Sequence, residues 1–227
     1  MYFGDKMDVF ISYSSINRQT AHLTQASLTE LGLTSFMAHE DLEVSDEWRD
    51  AIIGELKVAG IFVALLSAEF MASPWCVQEV GFIISRPDVL IIPLSLDGTV
   101  ASGFIARLQS RKVIDADILS RLESILYRKR TLQMIPNWIR RVGLAGSFRG
   151  AESILEPMAP YFDRFSVPQA ESFFQAALSN NQVWWATRAR SEFLPAFARI
   201  HWTSISRPLK DLYLQRLEVA ESDVQAV

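Results

Sequence analysis

Apolar runs that alternate with helical segments fill the first half of the 227-residue chain. The run MDVFISY, residues 7–13, is rich in β-branched and aromatic residues, which is typical of a strand buried on both faces of a sheet. Further strands are predicted over residues 33–37, 61–66, 88–94 and 112–114. Because buried strands that alternate with helices require a parallel sheet with right-handed crossovers, we predict an α/β, flavodoxin-like fold. Its five-stranded parallel sheet has helices on both faces.

Capping and breaking residues mark the ends of the predicted helices. Asn17 can cap the first helix, and Gly32 ends it. Ser45 or Asp46 caps a second helix, and Pro74 occupies the tolerated first position of a third. These three helices connect the first four strands.

The pattern changes after residue 132, where only helical segments follow. We predict an α/β domain over residues 1–130 and a small all-α domain, an antiparallel helical bundle, over residues 131–227. Aromatic residues recur there at helical spacing, and core packing is their expected role: Phe173, Phe174, Trp184, Trp185, Phe193, Phe197 and Trp202. The stretch ALSNNQVWW, residues 177–185, could instead be a docking edge.

Composition excludes several classes of protein. Hydrophobic residues make up 49% of the chain and charged residues 21%, as in a globular protein. The net charge of −4 and the few paired arginines favour neither nucleic acid nor an anionic membrane as a partner. The longest apolar stretch, residues 59–68, is about half the length of a membrane helix. A single cysteine, Cys76, and an N-terminus without signal-peptide features predict a cytoplasmic protein.

Three polar segments are expected at one edge of the sheet, since ligands of open parallel sheets bind beyond the carboxyl ends of the strands. They are the tripeptide Tyr13-Ser14-Ser15, the acidic loop AHEDLEVSDEW at residues 38–48, and the segment from Ser67 to Glu79. In the last segment Trp75 and Glu79 are four residues apart, so a helix places them on one face. The indole can stack on a flat ring while the carboxylate, expected to be exposed, stabilises a cation.

Four motifs in one order resemble a Toll/interleukin-1 receptor (TIR) domain, and its bacterial branch most. They are DVFISYSS, HEDLEVSDEW, IFVALLSAEFMASPWCVQEVGF and VLIIPLSLDG, and the resemblance runs from about residue 7 to about residue 130. It implies a five-stranded parallel sheet. In many bacterial members it also implies cleavage of NAD+ between nicotinamide and ribose.

The resemblance assigns roles to individual residues. Glu79 corresponds to the family's catalytic glutamate and Trp75 to the aromatic residue of the same motif. The other implied or candidate substrate contacts are Tyr13, Ser14, Ser15, Asp41 and Trp48. NAD+ is then the substrate and no cofactor is expected. No metal site is predicted either, because His39 beside Glu40 lacks further ligands at a suitable spacing.

The chemistry of the cleavage agrees with a glutamate in this role. Loss of nicotinamide leaves an oxocarbenium-like ribose, which a fixed carboxylate stabilises in the transition state. One carboxylate suffices because the pyridinium leaves as a neutral molecule and needs no general acid. The remaining ribosyl group gives ADP-ribose with water, or a cyclic ADP-ribose isomer with an internal nucleophile.

By resemblance we predict an NAD+ nucleosidase that acts in bacterial, anti-phage immunity. It is expected to form a homo-oligomer through TIR–TIR contacts, with a downstream effector protein that senses the product. Two alternatives remain open at this point. One is a non-catalytic TIR scaffold that assembles proteins, and the other is a virulence TIR that interferes with host signalling.

Overall fold

A computed structural model describes residues 9–37, 46–106 and 110–225 of the chain. Backbone contacts divide the chain into two compact units, Met1–Ile125 and Leu126–Val227. Within the described residues, no helix has both the length and the apolar character that a membrane crossing needs.

A parallel sheet forms the centre of the first unit. Its strands, in chain order, are β1 Val9–Ser12, β2 Ser35–Met37, β3 Ile61–Leu66, β4 Leu90–Ser95 and β5 Arg111–Lys112. They lie side by side in the order β2-β1-β3-β4-β5, and every pair is parallel. All residues of β1 and β3 are buried, which explains why both segments are continuously apolar. The predicted α/β architecture with a parallel sheet is confirmed.

The edge strand β5 is much shorter than its neighbours. Its two residues pair with Leu94 and Ser95 of β4, and the amide of Val113 adds one bond to the Ser95 carbonyl at 2.8 Å. Ile114, which we included in the predicted fifth strand, is 60% exposed. Four strands of three to six residues therefore build most of the sheet.

Five helices follow the strands of the first unit: α1 Arg18–Glu30, α2 Asp46–Val58, α3 Ala68–Ala72, α4 Pro74–Ile83 and α5 Ile118–Lys129. Gly32, with φ at 75°, follows the end of α1 as predicted. Pro74 opens α4 as predicted, behind Ser73, whose hydroxyl accepts a bond from the Cys76 amide at 3.3 Å. Asn17 occupies the N-cap position of α1 as predicted, but its side chain makes no cap bond to the helix.

The described part of the second unit is helical. Its helices are α6 Thr131–Gly143, α7 Phe148–Met158, α8 Val167–Ser179, α9 Asn181–Trp184, α10 Leu194–His201, α11 Arg207–Leu217 and α12 Glu221–Gln225. A π-helical turn, Ala189–Phe193, precedes α10 directly. Phe197 of α10 is fully buried and touches four other phenylalanine rings: Phe162, Phe165, Phe173 and Phe174.

The predicted aromatic core of this unit holds for most of its members. The buried ones are Phe173, Phe174, Phe193, Phe197 and Trp202. For Trp185 the prediction is wrong, since it is 51% exposed. It follows the four-residue helix α9, whose end interrupts the periodicity on which the prediction depended. Trp184 is partly buried, and its ring centroid lies 4.8 Å from that of Trp185.

Candidate active site

Three adjacent strands end in a buried serine at the carboxyl edge of the sheet. Ser12 is the last residue of β1, Ser67 follows β3, and Ser95 is the last residue of β4. Each is at most 2% exposed. A buried hydroxyl needs a hydrogen-bond partner, so the partners of these serines identify the polar groups at this edge. The sequence analysis placed Ser67 at this edge but missed Ser12 and Ser95, although each is the first small polar residue after an apolar run.

The hydroxyl of Ser12 donates to the carboxylate of Glu79. Glu79 lies on α4, in a row of buried residues at helical spacing: Cys76, Glu79, Val80 and Ile83. The three other members belong to the apolar core beneath the helix. Glu79 is therefore a single carboxylate within a helix face that is otherwise apolar.

The predicted exposure of Glu79 is wrong, because the residue is only 6% exposed. It lies three residues after Cys76 and one before Val80, so the face that anchors α4 to the sheet carries it inward. Transfer of a carboxylate from water into such surroundings is costly unless hydrogen bonds compensate it. The bond from Ser12 is one such compensation.

Trp75, the other residue of the predicted pair, lies in the first turn of α4 and is 37% exposed. The two side chains thus differ in environment, with the indole at the solvent boundary and the carboxylate inside. An indole face in contact with solvent remains available to stack on a flat ring.

The residues after β1 are more deeply placed than the sequence indicates. Tyr13 is 2% exposed and Ser14 5% exposed, and both directly follow Ser12. The carbonyl of Ser14 accepts a bond from the Asn17 amide at 2.7 Å, which closes a 3-10 turn over Ser15–Asn17. Ser15 itself is partly buried. The tripeptide therefore directly follows Ser12, whose hydroxyl contacts Glu79, but it offers little surface to a ligand.

Two predicted contacts cannot be placed beside this site. Asp41 lies outside the described residues. Trp48 belongs to α2, but its side chain also lies outside what the structure describes.

Ser67 and Asp97 connect the loops around the site. The Ser67 hydroxyl donates to Asn17 Oδ1 at 2.9 Å and accepts from the Phe70 amide at 3.1 Å, so it joins the turn after β1 to the start of α3. Asp97, in the loop after β4, accepts from the Ala68 amide at 3.0 Å and from the Thr99 amide at 2.8 Å. The loops that follow three strands are thereby tied together around the edge that carries Glu79.

The hydrogen bonds of Asp97 favour its charged form. Bonds from the side chain and amide of Thr99, and then from the Ala68 amide, lower the pKa of Asp97 to about 2 from a usual value of 3.8. A lowered pKa means that the folded state prefers the carboxylate. Its stabilising contribution is therefore present above about pH 4 and lost as the pH falls toward 2.

We expect Asp97→Asn to lower the urea midpoint of unfolding at neutral pH, with a difference from the unaltered protein that shrinks below about pH 4. Urea titrations between pH 7 and pH 2 measure it. The matched control is Asp117→Asn, an exposed aspartate of the same unit. A difference that stays constant down to pH 2 would show that the charge of Asp97 does not contribute.

The fold and this edge define an α/β protein with a parallel sheet and a polar site beyond the carboxyl ends of its strands. Residues 9–125 match the model of the TIR domain family, which is just over half of the chain. The chain therefore belongs to the TIR domain family. A comparison with curated proteins found no match.

Proposed function

We propose that the protein is an NAD+ nucleosidase that cleaves the bond between nicotinamide and ribose, with Glu79 as the catalytic residue. TIR domains include members that cleave NAD+, and Glu79 is at the position where the resemblance puts their glutamate. The observation that carries the proposal is the burial of this carboxylate beside the carboxyl edge of the sheet, with a hydrogen bond from Ser12. A helix that needed only to pack against the core would be more stable with an apolar residue at this position.

The buried carboxylate is suited to the charge that develops during cleavage. As the bond to nicotinamide breaks, positive charge appears on the anomeric carbon and ring oxygen of the ribose. A fixed negative charge in a site of low dielectric stabilises this charge more strongly than it would in water. The electrons of the broken bond move to the pyridinium ring, and nicotinamide leaves as a neutral molecule. Water then attacks the ribose to give ADP-ribose, or an internal nucleophile gives a cyclic isomer.

Ser12 is a positioning residue in this scheme. Its hydroxyl is fixed at the end of β1, where Ser12 pairs with Ala64 of the central strand β3. The bond that it donates to Glu79 fixes the orientation of the carboxylate. Preorganised charge of this kind does not have to reorient while the reaction proceeds.

The biological setting that we propose rests on the family resemblance alone. It comprises a cytoplasmic enzyme in anti-phage immunity, a homo-oligomer formed through TIR–TIR contacts, and a downstream protein that senses the product. The alternative class is a TIR scaffold without catalysis, which the following experiment separates from the enzyme.

The experiment incubates the purified full chain with NAD+ and resolves nicotinamide, ADP-ribose and cyclic ADP-ribose isomers by chromatography. We expect release of nicotinamide together with an equal amount of one ribosyl product. The matched control is Glu79→Gln. A protein that assembles but releases no nicotinamide is a scaffold, and the proposed activity is then wrong.

Trp75→Ala is expected to lower kcat/KM for NAD+ by about 5- to 150-fold, because stacking on a base is worth about 1–3 kcal/mol. Trp75→Phe keeps a ring and should lose less. By resemblance we expect a similar loss for Trp48→Ala. Steady-state kinetics measure these effects, with Val77→Ala as the control, since Val77 is a 49% exposed apolar residue of the same helix. If Trp75→Ala and Val77→Ala have the same kinetics as the unaltered protein, Trp75 does not contact the substrate.

Specific activity is expected to rise with protein concentration. By resemblance we expect the acidic loop at residues 38–48, most of which lies outside the described residues, to pack against a second copy of the chain and to complete the substrate pocket. Assembly by mass action then makes activity per chain depend on concentration. The measurement combines initial rates with sedimentation over about a hundredfold dilution. Constant specific activity from a protein that stays monomeric throughout would contradict the expectation.

A further inference from the structure

A cavity of about 650 Å³ lies within the second unit. It is bordered by the π-helical turn Ala189–Phe193, by α10 and α11, and by α12. Sites for small molecules typically measure about 300–1,000 Å³ and combine apolar walls with a few polar groups. The apolar part of the wall consists of Trp185, Pro195, Leu217, Val219 and Val224.

Tyr213 of α11 supplies a hydroxyl group to this cavity. The residue is 2% exposed, and its ring packs at steep angles against Phe174, at 5.8 Å between centroids, and Trp202, at 5.4 Å. Its hydroxyl forms no hydrogen bond with any residue in the described ranges. Because Tyr213 lines the cavity, its hydroxyl can donate to an acceptor of a bound ligand. Burial raises the pKa of Tyr213, so the hydroxyl keeps its proton and can donate.

Arg199, near the end of α10, adds a positive charge to the same cavity. Its Nε donates to the Pro195 carbonyl at 3.4 Å, and it forms no ion pair within residues 9–37, 46–106 and 110–225. The charge of Arg199 also acts on the Tyr213 hydroxyl, where it opposes the effect of burial on the pKa. The guanidinium and the hydroxyl therefore border the same cavity.

The other charged residues of the wall are already engaged. Arg190 donates to the carbonyls of Arg216, at 3.0 Å, and Leu217, at 2.7 Å, and pairs with Glu218 at 3.3 Å. The carboxylate of Asp223 accepts from the Ala220 amide at 3.0 Å at the start of α12. Arg199 is thus the cation of this wall that forms no ion pair within the described residues.

The helix geometry around the cavity is unusual in a way that agrees with a ligand site. The π-helical turn, which contributes Arg190 and Ser191 to the wall, is a rare conformation that occurs often at functional sites. The guanidinium of Arg190 also lies 5.2 Å over the ring of Trp185 and holds this exposed indole against the same side.

We propose that this cavity binds a small organic anion with an aromatic or aliphatic body. Its anionic group pairs with Arg199 and accepts a hydrogen bond from the Tyr213 hydroxyl, while its body lies on the apolar wall beside Trp185. The proposal is independent of NAD+ cleavage, since the residues that carry it all belong to the second unit.

A pair of fluorescent probes tests the proposal on the full chain. The first is the anion 8-anilinonaphthalene-1-sulfonate, and the second is N-phenyl-1-naphthylamine, which has nearly the same rings and no charge. We expect Arg199→Gln to weaken binding of the anionic probe by about tenfold, and Tyr213→Phe to weaken it severalfold. Binding of the neutral probe should change by less than about twofold in both variants, because the apolar wall is intact.

The matched control is Arg149→Gln, since Arg149 is an exposed arginine of the same unit and does not line this cavity. Thermal melting of each variant verifies that the fold is retained. Equal affinity of Arg199→Gln and the unaltered protein for the anionic probe would overturn the proposal. An equal loss for both probes, or an equal loss in Arg149→Gln, would overturn it as well.

Discussion

Glu79→Gln is expected to lower kcat for NAD+ cleavage by about 100- to 1000-fold, the usual loss when one preorganised charge-stabilising group is removed. The substitution removes the negative charge and keeps the shape of the side chain. The amide oxygen of glutamine can still accept the bond from Ser12, so the melting temperature should change little. Nicotinamide release under saturating NAD+ measures the rate. A variant that retains more than about a tenth of the activity would remove Glu79 from the catalytic role.

Glu79→Ala separates the catalytic loss from a loss of stability. It should abolish cleavage in the same way, but it also leaves the buried Ser12 hydroxyl without this acceptor and opens space under α4. An unsatisfied buried group costs about 1–3 kcal/mol, so the melting temperature should fall. We therefore expect the Glu79→Gln and Glu79→Ala variants to lose activity alike, and only the alanine variant to lose stability.

Ser12→Ala tests whether orientation of the carboxylate contributes. We expect kcat to fall by about tenfold, and less than in Glu79→Gln, because the charge remains while its orientation is less restricted. Ser95→Ala is the matched control. Ser95 is a buried serine that ends another strand, and its hydroxyl accepts from the Gly98 amide at 3.1 Å. Equal losses in the two serine variants would point to the sheet edge in general rather than to the bond with Glu79.

Local patterns in the sequence predict the elements around Glu79 well. The apolar run of β3 predicts its limits, Ile61–Leu66, and the Ser73-Pro74 pair predicts the start of α4. Both signals lie within a few neighbouring residues, so no knowledge of the tertiary structure is needed. The short strand β5 is different, because an edge strand is defined by its pairing with β4 and has no buried run of its own.

The environment of Glu79 depends on contacts that the sequence does not reveal. Its partner Ser12 is 67 residues away, and the two meet only because β1 lies next to β3 in the sheet. The apolar residues Cys76, Val80 and Ile83 do indicate in the sequence which face of α4 is buried. The spacing of Trp75 and Glu79 predicts that they share one side of a helix, but it says nothing about burial.

Phe197→Ala is expected to produce the largest loss of stability in the second unit. The Phe197 ring centroid lies 4.1 Å from that of Phe173, and Phe162, Phe165 and Phe174 surround it at 4.9–5.2 Å. Removal of a fully buried phenylalanine side chain costs about 3–5 kcal/mol. For a unit of this size that corresponds to a fall in melting temperature of more than about 10 °C. Tryptophan fluorescence follows the transition, since Trp138, Trp184, Trp185 and Trp202 all belong to this unit.

Phe148→Ala is the control for this substitution, because it removes the same side chain from a 50% exposed position at the start of α7. Its effect should stay within about 0.5 kcal/mol. If the two variants have the same melting temperature, the phenylalanine cluster does not dominate the stability of the second unit.

Phe197→Ala also tests how the second unit affects NAD+ cleavage, and it is a better test than truncation of the chain. Truncation after residue 125 would divide α5. Truncation after residue 130 would remove Trp138, whose ring centroid lies 3.9 Å from that of the buried Tyr127. Phe197→Ala instead keeps the whole chain and can be assayed at a temperature where only its second unit has unfolded. At that temperature, cleavage should fall relative to Phe148→Ala if the second unit assembles the enzyme, and rise if the unit restrains it. Equal rates in the two variants would show that the first unit acts without the second, and assembly would then have to come from TIR–TIR contacts alone.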